Sequence, residues 1–139
     1  MNPEQREILV IDGDERARTL IEQTLAEQGF AVTAVGDGDS ALRRIEAKPF
    51  ALVVSEIGLP GSLDGMTTLR HARAQQPDLK CLFTSWLAPA PSWNNVELDD
   101  FIAKPFRRRE FVGCVFELLQ RDAVAGGIVA AADLEYCCT

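Results

Sequence analysis

The chain has 139 residues, of which 47% are hydrophobic and 25% charged, a balance that predicts one soluble globular domain. Its net charge of −7 argues against a nucleic-acid-binding surface, which needs a concentrated basic face. No apolar run reaches the roughly 18 residues of a membrane span. The N-terminal MNPEQREILVI lacks the pattern of a signal peptide, so we expect a cytoplasmic protein.

The first part of the chain alternates apolar runs with amphipathic segments. Residues 7–11, EILVI, are almost continuously apolar, which is typical of a strand buried on both faces. Residues 14–29 carry apolar side chains at helical spacing and end in a glycine, the usual stop of a helix. Residues 30–35 predict a second strand, and residues 40–48 a short helix that closes before Pro49.

The alternation continues through the second part of the chain. Residues 50–57, FALVVSEI, predict the most buried strand, and residues 65–75 a helix. Residues 80–84 and 99–103 predict the fourth and fifth strands, and residues 107–122 the last helix. Five alternations predict an α/β fold in which a doubly wound parallel sheet carries helices on both faces. A site in that architecture lies at the carboxyl ends of the strands.

Two segments depart from this rhythm. A helix is due in residues 85–98, SWLAPAPSWNNVEL, but two interior prolines disfavour it, so we expect the fourth helix to be shortened or irregular. We place the domain at residues 1–122 and treat residues 123–139 as an Ala/Gly-rich tail, disordered, weakly helical or in contact with a partner. The tail holds Cys137 and Cys138, exposed thiols or a redox or dimer-linking pair.

Polar side chains stand at the ends of four of the predicted strands. The first strand delivers Asp12, the third Glu56 and the fourth Thr84, and Lys104 follows the fifth. Because the carboxyl ends of parallel strands meet at one edge of a sheet, these groups are expected to converge there. Carboxylates hold Mg²⁺, and a hydroxyl and an ammonium bind phosphoryl oxygens. The sequence therefore predicts a site suited to metal and phosphoryl chemistry.

Four segments resemble the signatures of bacterial response-regulator receiver domains. They are LVIDGDE, SEIGLPGSLDG, LFTS and IAKPF, they occur in that order, and the resemblance covers roughly residues 6–120. It implies a flavodoxin-like fold and a role in two-component phosphorelay signalling, without enzyme activity. It also places Glu56 at the position where receivers carry the aspartate that accepts phosphate from a histidine kinase.

The resemblance implies roles for other residues at the same edge. Asp12 matches the first residue of an acidic metal-binding pair, and Gly13 stands where the second aspartate belongs. The main-chain carbonyl of Gly58 matches a metal ligand, Thr84 the switch hydroxyl, and Lys104 the phosphate-site lysine. Lys104–Pro105 would carry the family's cis peptide.

Two departures from the family's pattern decide the functional prediction. Glutamate at 56 moves the carboxylate by one methylene, and displacements near 1 Å cost phosphoryl transfer about 100-fold. Glycine at 13 removes an anionic ligand from the site of Mg²⁺, an ion that requires near-ideal octahedral geometry. We therefore expect a stand-alone, degenerate receiver that binds partners without phosphorylation and pairs Glu56 with Lys104. We expect no cofactor beyond a weakly held Mg²⁺ at Asp12, Glu56 and Gly58.

A protein partner is expected at one face of the domain. The partner would be a histidine kinase or another signalling protein, and no nucleic acid or membrane. Phe101 matches the family's aromatic that changes rotamer on activation. The predicted partner surface comprises Trp86, Trp93, Phe101, Arg107, Arg108 and Arg109. The two tryptophans either cover core or form a docking surface, and the arginine run is a solvated face or a patch for an acidic partner.

Other interpretations stay open. A working receiver would accept phosphate weakly on Glu56 with Mg²⁺ bound, and a third possibility is a homodimeric adaptor. Glu56 itself could be a solvated carboxylate without a role. Asp14 and Asp64 are better interpreted as helix caps than as ligands, and His71 as a plain surface residue.

Overall fold

A five-stranded parallel sheet forms the centre of the computed structural model, which describes residues 6–86 and 100–120. The strands are β1 (Glu7–Ile11), β2 (Ala31–Val35), β3 (Leu52–Glu56), β4 (Lys80–Ser85) and β5 (Asp100–Ala103). They pair in the order β2–β1–β3–β4–β5. The helices in the described ranges are α1 (Glu15–Glu27), α2 (Gly38–Ala47), α3 (Gly65–Gln75) and α4 (Arg108–Gln120). This is the flavodoxin-like, doubly wound arrangement that the sequence predicts.

Alternate residues of each central strand serve two separate apolar cores. In β1, Ile8 and Val10 face the core that α1 and α4 cover, while Leu9 and Ile11 face the core that α2 and α3 cover. Such strands have no solvent face, which is why they read as continuous apolar runs. The prediction of helices on both faces is confirmed.

The strand order reverses direction between β1 and β3. The chain runs from β1 outward to β2 and then returns to place β3 on the other side of β1, with Ile11 beside both Val35 and Ser55. At such a switch point the following loops diverge and leave a crevice at the carboxyl ends of the strands. The register also sets Glu56 directly beside Thr84 on β4.

Aspartates cap the N-termini of three helices. The side chain of Asp14 accepts a hydrogen bond from the Arg16 amide, that of Asp37 from Ser40, and that of Asp64 from Thr67. Such caps satisfy amides that have no partner within the helix. The predicted capping roles of Asp14 and Asp64 are confirmed.

Some of the remaining predictions concern residues that the structure describes, and others concern residues outside the described ranges. Cys81 and Cys114 are buried in the core. The final helix is described from Arg108 to Gln120, and residues 121 and 122 of its predicted span lie outside the described residues. The segment expected to hold an irregular fourth helix lies outside the described residues after Trp86. Trp93, the tail and its two cysteines also lie outside the described residues. Within the described ranges, no helix is long and apolar enough to cross a membrane.

Candidate functional site

Hydrogen bonds that continue the sheet beyond its strands hold the site residues in place. The Asp12 amide donates to the Val35 carbonyl at 3.1 Å, and the Lys104 amide donates to the Ser85 carbonyl at 2.8 Å. Both residues follow their strands directly, so their backbones are fixed although they lie outside the sheet ladder. The sheet therefore carries Asp12, Glu56, Thr84 and Lys104 to one edge, as predicted.

The ammonium of Lys104 lies between two carboxylates. Its Nζ atom is 2.6 Å from Oε2 of Glu56 and 2.7 Å from Oδ2 of Asp12. The exposed fractions of the three side chains are 6% for Lys104, 12% for Glu56 and 3% for Asp12. The expected ion pair between Glu56 and Lys104 is present, and Asp12 joins it. The peptide bond between Lys104 and Pro105 is cis, as the resemblance implied.

The pKa of Lys104 is raised by its surroundings. Burial alone lowers this pKa, because it removes water from the charged ammonium. The hydrogen bonds that Lys104 donates to Asp12 and Glu56, together with the negative charges of those carboxylates, act in the opposite direction and outweigh burial. The lysine is therefore charged at neutral pH.

Thr84 contacts the same glutamate oxygen. Its Oγ1 atom donates to Oε2 of Glu56 over 3.3 Å, and the threonine is fully buried. Oε2 of Glu56 thus accepts from both Thr84 and Lys104. On the other carboxylate, Oδ1 of Asp12 accepts from the Asp14 amide at 2.9 Å while Oδ2 accepts from Lys104. The polar groups of the site are largely satisfied by one another.

This arrangement does not fit a divalent cation. Both oxygens of Asp12 are engaged by protein donors, and an ammonium stands between the two carboxylates that would have to share the metal. Gly13 contributes no side chain, and Gly58 is an exposed backbone position. Among the described residues, no group of three or more His, Cys, Asp or Glu side chains is placed to hold a metal ion. Mg²⁺ requires near-ideal octahedral geometry and loses its water reluctantly.

The predicted partner-surface residues are placed differently from one another. Trp86 is 64% exposed, which does not fit the interpretation that it covers the core, and Nζ of Lys104 lies 5.9 Å from the centre of its ring. Phe101 is half-buried on β5, beside Phe83 of β4. Trp93 lies outside the described residues. His71, as predicted, is exposed.

The arginine run at the start of α4 is exposed and partly paired within the chain. Arg107 lies 3.9 Å from Glu110, one turn along the helix, and Arg108 lies 2.9 Å from Glu27 at the end of α1. Arg109 is exposed. Exposed pairs of this kind contribute little to stability, so the run remains available to solvent.

Two residues at the site were missed by the sequence analysis. One guanidinium nitrogen of Arg18 donates to the main-chain carbonyl of Asp12 at 2.8 Å, which ties α1 to the end of β1. The ring of Pro60, from the loop after β3, lies against Gly13. Neither contact has a sequence signal, because an arginine within a helix and a proline within a loop are commonplace.

The comparisons with known proteins agree with this fold. Residues 8–116 match a family described as "Response regulator receiver domain". The chain is 32% identical to Protein PetR of Rhodobacter capsulatus over 86% of its own length and 52% of PetR, so it spans about half of that relative. It is 29% identical to the response regulator receiver protein CpdR of Brucella abortus, covering 82% of this chain and 97% of CpdR.

A solved structure adds a metal-bound relative. The receiver domain of the sensor histidine kinase PA1611 from Pseudomonas aeruginosa was crystallised with a magnesium ion coordinated in its active-site cleft. This chain is 30% identical to it, with a TM-score of 0.71 over 84% of this chain and 95% of that one.

Proposed function

The chain belongs to the response regulator receiver domain family of two-component signalling, and on that premise we propose that it is a protein-interaction module that works without phosphorylation. In this proposal the ion pair between Glu56 and Lys104 holds the domain in one conformation, so no phosphoryl group is needed to set it. Its partners would be other signalling proteins, such as a histidine kinase.

One observation carries the proposal. Oε2 of Glu56 is engaged both by the ammonium of Lys104 and by the hydroxyl of Thr84. In the family these two groups are the ones that receive the oxygens of a phosphoryl group. Here the side chain at the acceptor position supplies a negatively charged oxygen to both of them. Glutamate carries its carboxylate one methylene further from β3 than aspartate would.

The side chains available to bind a metal ion also support a function without phosphorylation. Phosphoryl transfer depends on cations that neutralise developing charge and on close positioning of the nucleophile. With Gly13 in place of an acid and Lys104 bonded to both Asp12 and Glu56, the site offers neither. The charged side chains of Asp12, Glu56 and Lys104 form ion pairs with one another instead.

Trp86 is an exposed residue through which a partner would contact the fixed site. Its exposed ring lies 5.9 Å from Nζ of Lys104, at the end of the strand that contains Thr84. A partner that contacts this ring would therefore touch the rim of the ion-pair cluster. Exposed tryptophans of this kind are enriched among the residues that dominate binding energies.

Incubation with acetyl phosphate, or with beryllofluoride, in the presence of Mg²⁺ tests the proposal. Intact mass spectrometry is expected to show no phosphoryl adduct, and tryptophan fluorescence no saturable change. Trp86→Phe identifies which part of the fluorescence comes from the site. An adduct that forms on the natural chain and is lost in Glu56→Gln would overturn the proposal.

The metal-bound PA1611 receiver favours one competing function, a receiver that still accepts phosphate weakly on Glu56 with bound Mg²⁺. The same experiment separates the two functions. The competing function requires Mg²⁺ to displace Lys104 from at least one carboxylate, so it also predicts that Lys104→Met increases Mg²⁺ affinity. The proposed function predicts no adduct in either protein.

A further inference from the structure

The end of α2 is followed by a proline, which cannot donate a hydrogen bond. The Lys48 amide still donates to the Arg44 carbonyl at 3.2 Å, but the chain then leaves the helix in an extended conformation, with φ −162° and ψ 160° at Lys48. Because Pro49 has no amide hydrogen, it cannot make the usual bond from the residue after a helix back to the last turn. The carbonyls at the end of α2 therefore need a donor from elsewhere in the fold.

The side chain of Gln76 supplies that donor. Gln76 follows the last residue of α3, and its Nε2 atom donates to the Ile45 carbonyl at 3.2 Å and to the Lys48 carbonyl at 3.1 Å. Its Oε1 atom accepts a hydrogen bond from the Phe50 amide at 3.1 Å. A side-chain amide has two donor hydrogens on its nitrogen and an accepting oxygen, so these three partners match it. Turning the amide over would set its oxygen against two carbonyl oxygens.

The three bonds of Gln76 join different elements. Ile45 and Lys48 belong to the end of α2, whereas Phe50 leads into β3. The Phe50 side chain is 5% exposed and lies in the apolar core that α2 and α3 cover. One side chain from α3 thus holds the backbone on both sides of Pro49.

The opposite ends of α2 and α3 are held together by packing. A Cβ atom built on Gly38, the first residue of α2, would lie 2.9 Å from Cβ of Leu63 and would overlap the hydroxyl of Thr68 in the first turn of α3. The start of α2 therefore lies directly against the start of α3. Close packing joins the two helices at their amino ends, and the hydrogen bonds of Gln76 join them at their carboxyl ends.

We propose that Gln76 is a latch between α3 and α2, which keeps the last turn of α2 and the Phe50 amide closed while it is bound and lets them open together as one local unit when it is released. Local openings with free energies below that of global unfolding are general in folded domains. The inference goes beyond the proposed function. It concerns the amino end of β3, opposite to Glu56, and holds whether or not that site accepts phosphate.

Residue-resolved hydrogen exchange of the full chain tests the latch. Gln76→Ala removes all three bonds, so we expect the opening constants of the last α2 turn and of the Phe50 amide to rise together by about tenfold. Amides of α1 and α4, which cover the other apolar core, should change less than about twofold. Gln75→Ala is the matched control, because it alters the same residue type one position earlier, where the side chain is exposed.

Three outcomes of that experiment would refute the latch. Unchanged exchange in α2 would mean that the bonds hold nothing closed. Separate changes at α2 and at Phe50 would mean that the two do not form one unit. An equal rise in all helices would mean a general loss of stability.

Gln76→Glu separates the donors from the acceptor and gives a second readout if Gln76→Ala folds poorly. A carboxylate can still accept from Phe50 but has no hydrogen for the two carbonyls, whereas the protonated acid can donate again. The ratio of unfolding constants between this variant and the natural chain should therefore fall at least about threefold from pH 7 to pH 4. The neighbouring pair of Lys48 and Glu7 is common to both proteins and cancels in the ratio. A ratio independent of pH, or the same trend in Gln75→Glu, would contradict the assignment.

Discussion

Oε2 of Glu56 lies 2.6 Å from Nζ of Lys104, and both side chains are almost removed from solvent. A charge pair in such surroundings is poorly screened by salt. Removal of one partner is more costly than the net value of the pair, because it leaves the other charge buried and uncompensated. Asp12 limits that cost, since it remains bonded to the lysine when Glu56 is changed.

Glu56→Gln tests this pair while keeping the shape of the side chain. The change removes one of the two negative charges that compensate Lys104. We expect it to lower the free energy of unfolding by about 2 kcal/mol, the value of a hydrogen bond to a charged group. Urea denaturation measures the loss. Glu46→Gln on the exposed side of α2 is the control and should change stability by less than about 0.5 kcal/mol. Equal effects of the two changes would show that the pair contributes nothing.

The pH dependence of stability should reveal the raised pKa of Lys104. Below the ordinary pKa of 10.5 the lysine is charged in both the folded and the unfolded chain, so its stabilisation is fully present. Above that value the unfolded chain loses the proton first, and the stabilisation is lost as the pH rises through the higher pKa of the folded state. The difference in unfolding free energy between the natural chain and Lys104→Met should therefore shrink above pH 10.5.

The control for that measurement is Lys48→Met. Lys48 also contacts a glutamate, Glu7, at 3.2 Å, but its side chain is 44% exposed. An exposed pair of this kind contributes at most about 1 kcal/mol at any pH. A difference for Lys104→Met that grows with alkaline pH would contradict the sign given above.

Thr84→Val tests the hydroxyl that shares Oε2 of Glu56. Valine keeps the branched shape in a fully buried position and removes the donor. We expect a loss of about 1 kcal/mol in the free energy of unfolding, the net contribution of one buried hydrogen bond. Thr33→Val on β2, where the side chain is half-buried, should be neutral within about 0.5 kcal/mol. A Thr84→Val protein as stable as the natural chain would show that the 3.3 Å contact is not a stabilising bond.

The cap of α2 provides a prediction at acid pH. The hydrogen bonds that the Asp37 carboxylate accepts from Ser40 lower the pKa of Asp37 below its ordinary value of 3.8. The stabilisation is therefore present above pH 3.8 and is lost as the pH falls through the lower pKa of the folded state. Asp37→Ala should cost about 1 kcal/mol at neutral pH.

Asp37→Asn separates the cap from the charge. Asparagine is about as good a cap as aspartate, so it should retain most of the stability at neutral pH. Because it does not titrate, it should also remove this residue's share of the acid dependence. Thermal unfolding between pH 3 and pH 7 measures both effects, and an unchanged acid dependence in Asp37→Asn would contradict the assignment.

The fold could be predicted from sequence because its strands are buried on both faces. Residues 7–11 and 65–75 were predicted with the bounds that the structure has, since apolar runs and a helical stripe bounded by Asp64 and Pro77 leave little choice. The ion pair of Glu56 with Lys104 could also be predicted, because the carboxyl ends of parallel strands share an edge. The participation of Asp12 as a second partner of the lysine could not.

The contacts that could not be predicted from the sequence depend on the path of loops. The contact of Pro60 with Gly13 arises from the route of residues 57–64, and no periodicity in the sequence encodes that route. The hydrogen bond from Arg18 to the Asp12 carbonyl depends on which of its rotamers the arginine adopts. Both are tertiary contacts between groups that are unremarkable in isolation.

The fit between the proline ring and the bare backbone of Gly13 has a consequence for how this sequence can change over generations. A lineage that regained an acid at position 13 would have to shift the loop that carries Pro60, because a Cβ atom at position 13 would lie 2.8 Å from Cδ of that ring. Both residues are exposed, so the adjustment would take place at the surface of the domain and not in either apolar core.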